Sequence, residues 1–312
     1  MRKIKESQIN LLKWYEANGR HDLPWRNTDD VYHVYLSEIM LQQTQVSRVR
    51  DEYYFQFLEK FPSLEALANA PQDEVLAAWS GLGYYSRARN LQKSAQVSKG
   101  RLPHTREELL KLPGVGLYTA SAICSFAYRQ NAPVVDTNIS RVIKRFFALL
   151  NPTETTLWSL AGEFVNAADP RAHNLALMDL GSLVCLPKNP KCQECPLLKR
   201  CKGVNEAQLY TQTKKKEYES LELFYGVSIR NNQIALTPST GKMYKNMLEL
   251  PTVDPIQENF IGKFKHSYTK YRLSVNLYKI EEIEGDVVWV DVDKLEHSPI
   301  SSLTKKAKEF FY

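Results

Sequence analysis

The chain has 312 residues, of which 43% are hydrophobic and 24% charged, and its formal net charge is +6. This composition excludes a disordered chain and leaves room for two globular domains, while the mildly basic charge suits a nucleic acid partner without requiring one. No apolar run reaches the length of a membrane span and the charged first segment does not resemble a secretory signal, so we expect a cytoplasmic protein with no membrane partner.

Helical patterns separated by short proline and glycine turns fill the first part of the sequence. Examples are SLEALANA before Pro71 and TREELLKLPGVG, which leads into LYTASAICSFAY. The glycine-rich turns lie between helices rather than after strands, which disfavours a doubly wound nucleotide-binding sheet. We predict an all-α domain over residues 1–205.

Residues 112–123 place Gly114 and Gly116 between the end of one predicted helix and the start of the next. Glycine permits a positive φ and a close approach, so the amide N–H groups at the helix start could face a DNA phosphate. A simple tight turn between two helices is the competing interpretation.

Four of the five cysteines lie within residues 185–201, at Cys185, Cys192, Cys195 and Cys201. Four thiolates in one short loop predict a tetrahedral sulfur site for either zinc or a [4Fe–4S] cluster. The compact spacing favours the cluster, because zinc sites usually consist of two short pairs joined by a long spacer. Since protein fills every ligand position, the predicted role is structural.

The sequence pattern changes after a polar stretch, residues 206–220, which we interpret as a linker. Over residues 221–312, the segments LFYGVSIR, QIALTP, YRLSVNLYKI and DVVWVDV predict strands, with a turn at Asn231-Asn232 and a closing helix around LTKKAKEFF. We predict a smaller α+β domain here.

Taken together, these motifs resemble the MutY-type adenine DNA glycosylases of the helix-hairpin-helix glycosylase superfamily. The resemblance runs from about residue 8 to 203 and continues weakly to the end. It is carried by LPWR, YLSEIMLQQTQVSRV, WSGLGYYSRARNL, LPGVGLYTASAI, VVDTNISRV and MDLGSLVC. It implies a [4Fe–4S] cluster on the four cysteines, a hairpin that binds DNA phosphate, and a Nudix-like C-terminal domain for substrate recognition.

Cleavage of a nucleotide's glycosidic bond requires an acid near the base and an anion near C1′. Glu38 lies in the apolar segment VYLSEIMLQQT, where desolvation would raise its pKa, although a solvent-facing glutamate also fits the pattern. Asp136 precedes the helix TNISRVIKRFF and suits an N-cap. The resemblance assigns adenine protonation at N7 to Glu38, stabilisation of the oxocarbenium-like sugar to Asp136, and supporting roles to Tyr118 and Asn138.

Position 118 also bears on the reaction type. Bifunctional relatives carry a lysine there for Schiff-base attack, and here it is a tyrosine.

The resemblance further implies that several residues line the adenine pocket or contact the opened duplex, namely Trp25, Arg26, Leu41, Gln42, Gln43, Thr44 and Tyr84. For the aromatic residues, core packing is the competing interpretation.

Two positions depart from the family pattern. The family reads 8-oxoguanine with a loop of the pattern His-Thr-Phe-Ser-His. In this chain, Tyr268, Thr269 and Lys270 stand in place of the last three residues of that pattern. Lysine is a poor substitute for imidazole, so recognition of 8-oxoguanine is left open. Leu175 stands where the family commonly has glutamate or glutamine. Because an apolar side chain cannot hydrogen-bond the edge of the base, we expect either a looser selectivity for adenine or a pocket that favours a different base.

We therefore predict a monofunctional, monomeric glycosylase that excises adenine mispaired with 8-oxoguanine or guanine in double-stranded DNA, in the cytoplasm and, in a bacterium, at the nucleoid. A mismatch thymine glycosylase of the same superfamily is one alternative, against which LQQTQV and the C-terminal domain argue. A non-catalytic iron–sulfur DNA-binding or redox-sensing protein is another. The pairing of Glu38 with Asp136 argues against it, because binding requires neither.

Overall fold

The computed structural model describes residues 2–211, 217–241, 243–244, 247–255, 257–268, 270–281, 283 and 285–311. The chain forms two compact units. The first consists of Met1–Ala70 and Arg89–Thr213, and the second of Pro71–Ala88 and Lys214–Tyr312.

Helices make up most of the first unit, as the sequence predicts. In chain order the α-helices of the described residues are α1 (Arg2–Asn18), α2 (Val31–Met40), α3 (Val46–Arg48), α4 (Tyr54–Lys60), α5 (Leu64–Asn69), α6 (Gln72–Ala78), α7 (Ser86–Val97), α8 (Arg106–Leu109), α9 (Leu117–Ala122), α10 (Thr137–Phe147), α11 (Glu154–Phe164), α12 (Pro170–Leu183) and α13 (Ser302–Ala307). Short 3-10 segments include Pro24–Arg26, Cys192–Glu194, Leu198–Arg200 and Val204–Thr211.

Side-chain caps fix the start of the helices that matter most for the site. Asp30 accepts hydrogen bonds from the backbone amides of Tyr32 and His33 at the start of α2. Asp169 caps α12 by accepting from the amide of Ala172. These bonds satisfy amide groups that a helix start otherwise leaves unpaired.

One hydrophobic core holds α1, α2, α10, α11 and α12 together. Its buried members include Leu11, Val34, Val142, Phe164 and Leu177. Every one of these helices presents an apolar stripe to the shared core, so their polar ends are held at fixed positions. This packing places α2, α10 and α12 around a common space.

Two sheets form the second unit, which confirms the predicted α+β character. Their strands are β1 (Glu219–Val227), β2 (Ile229–Arg230), β3 (Gln233–Pro238), β4 (Leu248–Glu249), β5 (Phe260–Tyr268), β6 (Tyr271–Lys279) and β7 (Val288–Asp291). One sheet has the order β1-β6-β5, with β1 parallel and β5 antiparallel to β6. In the other, β2, β4 and β7 all pair antiparallel to β3.

The turn between β2 and β3 has the geometry that its sequence requires. Asn231 and Asn232 have φ values of 50° and 60°. Two successive residues with positive φ make the two-residue hairpin turn that asparagine tolerates better than most residues. The predicted turn is therefore confirmed.

The limits of the two units differ from the predicted domains. Pro71–Ala88 belongs to the second unit, where the Tyr85 hydroxyl donates to the Ile300 carbonyl at 3.5 Å. The predicted linker starts inside the 3-10 segment Val204–Thr211, whose Ala207 is buried, and its residues 212–216 lie outside the described part of the chain. The predicted domain limits stay a prediction.

Within the described residues, every helix is too short or too polar to cross a membrane.

Candidate active site

A cavity of about 740 Å³ in the first unit is lined by residues of α2, α9, α10 and α12. Its walls include all the predicted catalytic residues, Glu38, Tyr118, Asp136 and Asn138. Residues predicted to contact DNA or the base also line it, namely Trp25, Arg26, Leu41, Gln42 and Thr44. The structure therefore brings the two carboxyl groups and these predicted contact residues together.

Glu38 lies in the middle of α2, and only 6% of its surface is exposed. The pKa of Glu38 is raised to about 7, chiefly by burial and also by the nearby charge of Asp136, while a hydrogen bond from Tyr118 and the charge of Arg26 act in the opposite direction. The solvent-facing interpretation of Glu38 is therefore wrong. Near neutral pH its carboxyl group can hold a proton and release it.

Asp136 is the N-cap of α10. Its Oδ1 accepts from the backbone amide of Ile139 at 2.6 Å and its Oδ2 from Nδ2 of Asn138 at 3.0 Å. The pKa of Asp136 is raised overall, chiefly by burial, while these hydrogen bonds act in the opposite direction and favour the anion. The positive end of the helix dipole favours the same charge state.

Tyr118 stands at the start of α9 and hydrogen-bonds with Glu38. Burial raises the pKa of Tyr118 well above its usual value, and the negative charges of Glu38 and Asp136 raise it further. The phenol therefore stays neutral and can donate its proton only as a hydrogen bond to Glu38.

Asn138 connects the cavity to α12. Its Oδ1 accepts from Nη2 of Arg141 at 2.9 Å, and the same Nη2 donates to the Gly181 carbonyl at 2.6 Å. A Cβ atom added at Gly181 would lie 2.7 Å from Cβ of Asn138, so only glycine permits this approach of α10 and α12. Arg141 also donates to the carbonyl of Cys185 at 2.8 Å.

The predicted hairpin uses its two glycines differently. Gly114 has a φ of 73°, and a Cβ atom there would lie 2.7 Å from Nδ2 of Asn90. Gly116 is the N-cap of α9 with an ordinary φ of −92°, and a Cβ atom there would meet no atom within 4 Å. Gly114 is thus required by the turn, while the surface beside Gly116 is open enough for another molecule to approach.

Gln42 and Gln43 follow the end of α2. Nε2 of Gln42 donates to Oγ1 of Thr119 at 3.4 Å, which holds this amide against the cavity wall. Gln43 is exposed and has a φ of 60°, a left-handed conformation that costs energy outside glycine and asparagine. The chain therefore turns sharply here and presents Gln43 to solvent.

The other predicted DNA-reading residues lie in the second unit. Tyr84 has a φ of 48°, its ring lies under the guanidinium of Arg87, and its centroid is 6.5 Å from that of Tyr268. The Tyr268 hydroxyl donates to the Met243 carbonyl, and Lys270 forms an ion pair with Glu219. Thr269 lies outside the described residues.

The four cysteines of the predicted cluster loop surround one small enclosed space, and none of them forms a disulfide. Arg145, which is 2% exposed, donates to Sγ of Cys185 at 3.2 Å and to the Leu186 carbonyl at 2.7 Å. In the described part of the chain, no three His, Cys, Asp or Glu side chains converge on a single metal ion.

Asp179 and Arg141 belong to the surroundings of the site but were not predicted from the sequence. Asp179 is fully buried and accepts hydrogen bonds from Arg20 and Arg26, both of which line the cavity. The signal for Asp179 was present in MDLGSLVC, where a charged residue stands in an apolar helix segment. Its partners could not have been named from the pattern, because they lie more than a hundred residues earlier in the chain.

Comparison with known proteins identifies the family. Residues 36–166 match the HhH-GPD superfamily of base excision DNA repair proteins. The chain is 35% identical to the adenine DNA glycosylase of Buchnera aphidicola subsp. Schizaphis graminum, over 96% of this chain and 97% of that protein. It is 41% identical to the same-named protein of the subspecies Baizongia pistaciae, of which it covers 60%, and 42% identical to that of Mus musculus, of which it covers 48%.

Two solved structures share the fold of about two thirds of the chain. A thermostable thymine-DNA glycosylase superimposes with a TM-score of 0.61 and 34% identity, over 66% of this chain and 98% of that one. An endonuclease III–DNA complex superimposes with a TM-score of 0.57 and 23% identity, over 66% of this chain and 96% of that one. At that identity, the second likeness supports the fold alone.

The contact between Gly181 and Asn138 can be tested by Gly181→Ala. The added methyl group would force α10 and α12 apart, and we expect the free energy of unfolding to fall by about 1–3 kcal/mol in chemical denaturation. Gly162→Ala in α11 is the matched control, because its Cβ atom would meet only Cγ of Pro133 at 3.8 Å. That change should be neutral or stabilise by up to about 1 kcal/mol. Equal effects of the two substitutions would contradict the close approach.

Proposed function

Because the chain belongs to the adenine DNA glycosylases of the HhH-GPD superfamily, we propose that it excises adenine mispaired with 8-oxoguanine or guanine from double-stranded DNA. The observation that carries the proposal is the pair Glu38 and Asp136 facing one cavity, with different surroundings for each carboxyl group. Duplex DNA buries the base, so the adenine has to leave the helix and enter this cavity to be cut.

Glu38 acts as the general acid. Its proton passes to N7 of adenine while the bond between C1′ and N9 breaks and the electron pair of that bond goes to the base. The hydrogen bond from Tyr118 orients the carboxyl group. A pKa of about 7 suits this role, because the group then holds the proton near neutral pH and releases it readily.

Asp136 acts as the anion beside the sugar. Its charge stabilises the cation that develops at C1′, and the N-cap bonds with Ile139 and Asn138 hold it in place through the reaction. A water molecule then attacks C1′, and its proton passes to Asp136. The products are free adenine and an abasic site. With Tyr118 in place of a lysine, the enzyme hydrolyses the glycosidic bond without nicking the strand.

The remaining predicted contacts divide between the base and the duplex. Trp25 and Leu41 supply apolar surface for the purine in the cavity, while Arg26 and Gln42 supply hydrogen-bond donors. The hairpin with Gly114 and Gly116 would bind phosphate, and Gln43, Thr44 and Tyr84 would contact the opened duplex. Such phosphate contacts position the protein without reading the sequence.

A [4Fe–4S] cluster fits the cysteine loop. Burial raises the pKa of Cys195 to about 12, so this thiol needs an adjacent positive ion to lose its proton, and Arg145 already supports Cys185. The compact spacing of the four cysteines favours the cluster over a single tetrahedral zinc, whose sites usually consist of two short pairs joined by a long spacer. When bound, the cluster would supply a rigid cross-link for the loop, and no chemical step is assigned to it.

The base opposite adenine would be read by the second unit. We propose that Tyr268 and Lys270, with Thr269 between them, take the part of the family's recognition loop. Lys270 is exposed and paired with Glu219, so it is available to a phosphate or a base at the cost of a surface ion pair worth little energy. We further propose that the protein acts as a monomer in the compartment that holds the DNA, the cytoplasm and nucleoid of a bacterium.

The assignment of the two carboxyl groups is tested with Glu38→Gln and Asp136→Asn in single-turnover excision assays. We expect each to lower the rate of adenine release by at least about a hundredfold, because glutamine cannot donate the proton and asparagine lacks the charge. Asparagine still caps helices, so Asp136→Asn separates the charge from the structural role. Glu163→Gln on the exposed face of α11 is the control.

Duplexes that pair adenine or thymine with guanine or 8-oxoguanine decide the substrate in the same assay. Release of adenine but not thymine is the expected result. Preferential release of thymine would favour the rival glycosylase activity, for which the 34% identity to a thymine-DNA glycosylase is the motivating observation. Wild-type rates for Glu38→Gln would rule out the mechanism.

The pH dependence follows from the state of Glu38. The acid has to be protonated, so we expect the single-turnover rate to fall as the pH rises through about 7, by about tenfold per pH unit well above that value. Asp136 has to be ionised, so the rate also falls at acidic pH. A rate that stays constant from neutral to alkaline pH would contradict the role of Glu38.

The cysteine site predicts a yellow-brown protein with about four iron atoms per chain. Cys195→Ser should lose the broad visible absorbance and most of the iron, because one ligand is removed. Cys124→Ser is the matched control, since Cys124 is buried in the helical core away from the loop. Stoichiometric zinc in a colourless wild-type protein would contradict the cluster.

A further inference from the structure

Asp179 of α12 is a charged side chain with no exposed surface. Its Oδ2 accepts from the backbone amide of Arg20 at 2.9 Å, and its Oδ1 accepts from Nε of the same arginine at 2.7 Å. A carboxylate is costly to bury unless its oxygens are paired. Asp179 is therefore held as an anion by hydrogen-bond donors, although it is not one of the two proposed catalytic carboxyl groups.

Its strongest partner is Arg26, whose side chain is only 5% exposed. Nη1 of Arg26 donates to Oδ2 of Asp179 at 2.6 Å and Nη2 donates to Oδ1 at 2.9 Å. These two parallel bonds are the bidentate geometry in which a guanidinium is both oriented and neutralised. Burial alone would raise the pKa of Asp179, but the hydrogen bonds and charges of the two arginines outweigh it and lower that pKa.

Arg26 and Glu38 line the same cavity and interact electrostatically. The other groups that face Glu38 are Tyr118 from α9 and Asp136 from α10. Tyr15 of α1 also faces Arg26. In such a buried site, an arginine without a counter-ion would favour the ionised form of Glu38. Asp179 supplies that counter-ion from the side of α12.

We propose that Asp179 is a positioning residue for base excision: it orients the Arg26 guanidinium at the cavity wall and cancels its charge, so that Glu38 keeps the proton it has to donate. The inference rests on the proposed function, because it concerns the acid of that reaction. A purely structural ion pair would not affect the protonation of Glu38, whereas the role proposed for Asp179 does.

The test compares Asp179→Asn, Arg26→Gln and the double variant in single-turnover adenine excision opposite 8-oxoguanine, across about pH 5 to 9. Asp179→Asn leaves the charge of Arg26 uncompensated, so the alkaline limb of the profile should move to lower pH by on the order of one unit. Arg26→Gln removes the positive charge, so the same limb should move to higher pH. The double variant should lie between them.

Asp254→Asn, an exposed aspartate of the second unit, is the matched control and should leave the profile unchanged. Asp179→Asn also leaves two arginines without their partner and will be less stable. If Asp179→Asn does not fold, the inference is tested by Arg26→Gln alone, because Asp179 is still paired with Arg20 in that variant. Folding is checked by circular dichroism at each pH.

The outcomes separate the two proposals. A wild-type protein that releases no adenine overturns the proposed function and this inference with it. If the wild-type protein is active but the alkaline limb of both folded variants stays where it is in the wild type, or moves in the same direction in both, the inference is overturned and the proposed function stays intact. Opposite shifts of the limb support the electrostatic role of Asp179.

Discussion

Two carboxyl groups share one cavity and are largely removed from solvent, so they cannot both be charged there at low cost. The structure separates them by their partners. Asp136 receives a backbone amide and a side-chain amide, which stabilise its anion, whereas Glu38 sits in the apolar middle of α2 with a phenol as its hydrogen-bond partner. One group can therefore remain ionised while the other keeps a proton near neutral pH. An acid and an anion thus arise from two similar side chains.

The helix α10 connects this cavity to the cysteine loop. Asp136 caps its first turn, Arg141 reaches the carbonyls of Gly181 and Cys185 from its middle, and Arg145 clamps the loop near its end. These arginines satisfy backbone carbonyls that the irregular loop would otherwise leave unpaired.

Much of the site could be predicted from the sequence, because its signals are local. The cysteine spacing, the two glycines of the hairpin and the aspartate before an amphipathic helix each lie within a few residues, and the structure places Asp136 as the N-cap and Gly114 in a left-handed turn. The strands of the second unit and the turn at Asn231-Asn232 were also predicted, since alternation and turn residues are short-range patterns. The roles of these residues in the reaction stay predictions.

What the sequence determined by itself was where single elements begin and end, together with a set of candidate residues for the chemistry. Only the tertiary structure decided the environment of those residues. The sequence allowed Glu38 to face solvent, and packing of α2 against α9 and neighbouring segments buried it. Asp179 meets Arg26 across 153 residues of chain, and Pro71–Ala88 joins the second unit through partners more than a hundred residues later. Burial and long-range pairing depend on which faces meet, and no local pattern encodes that.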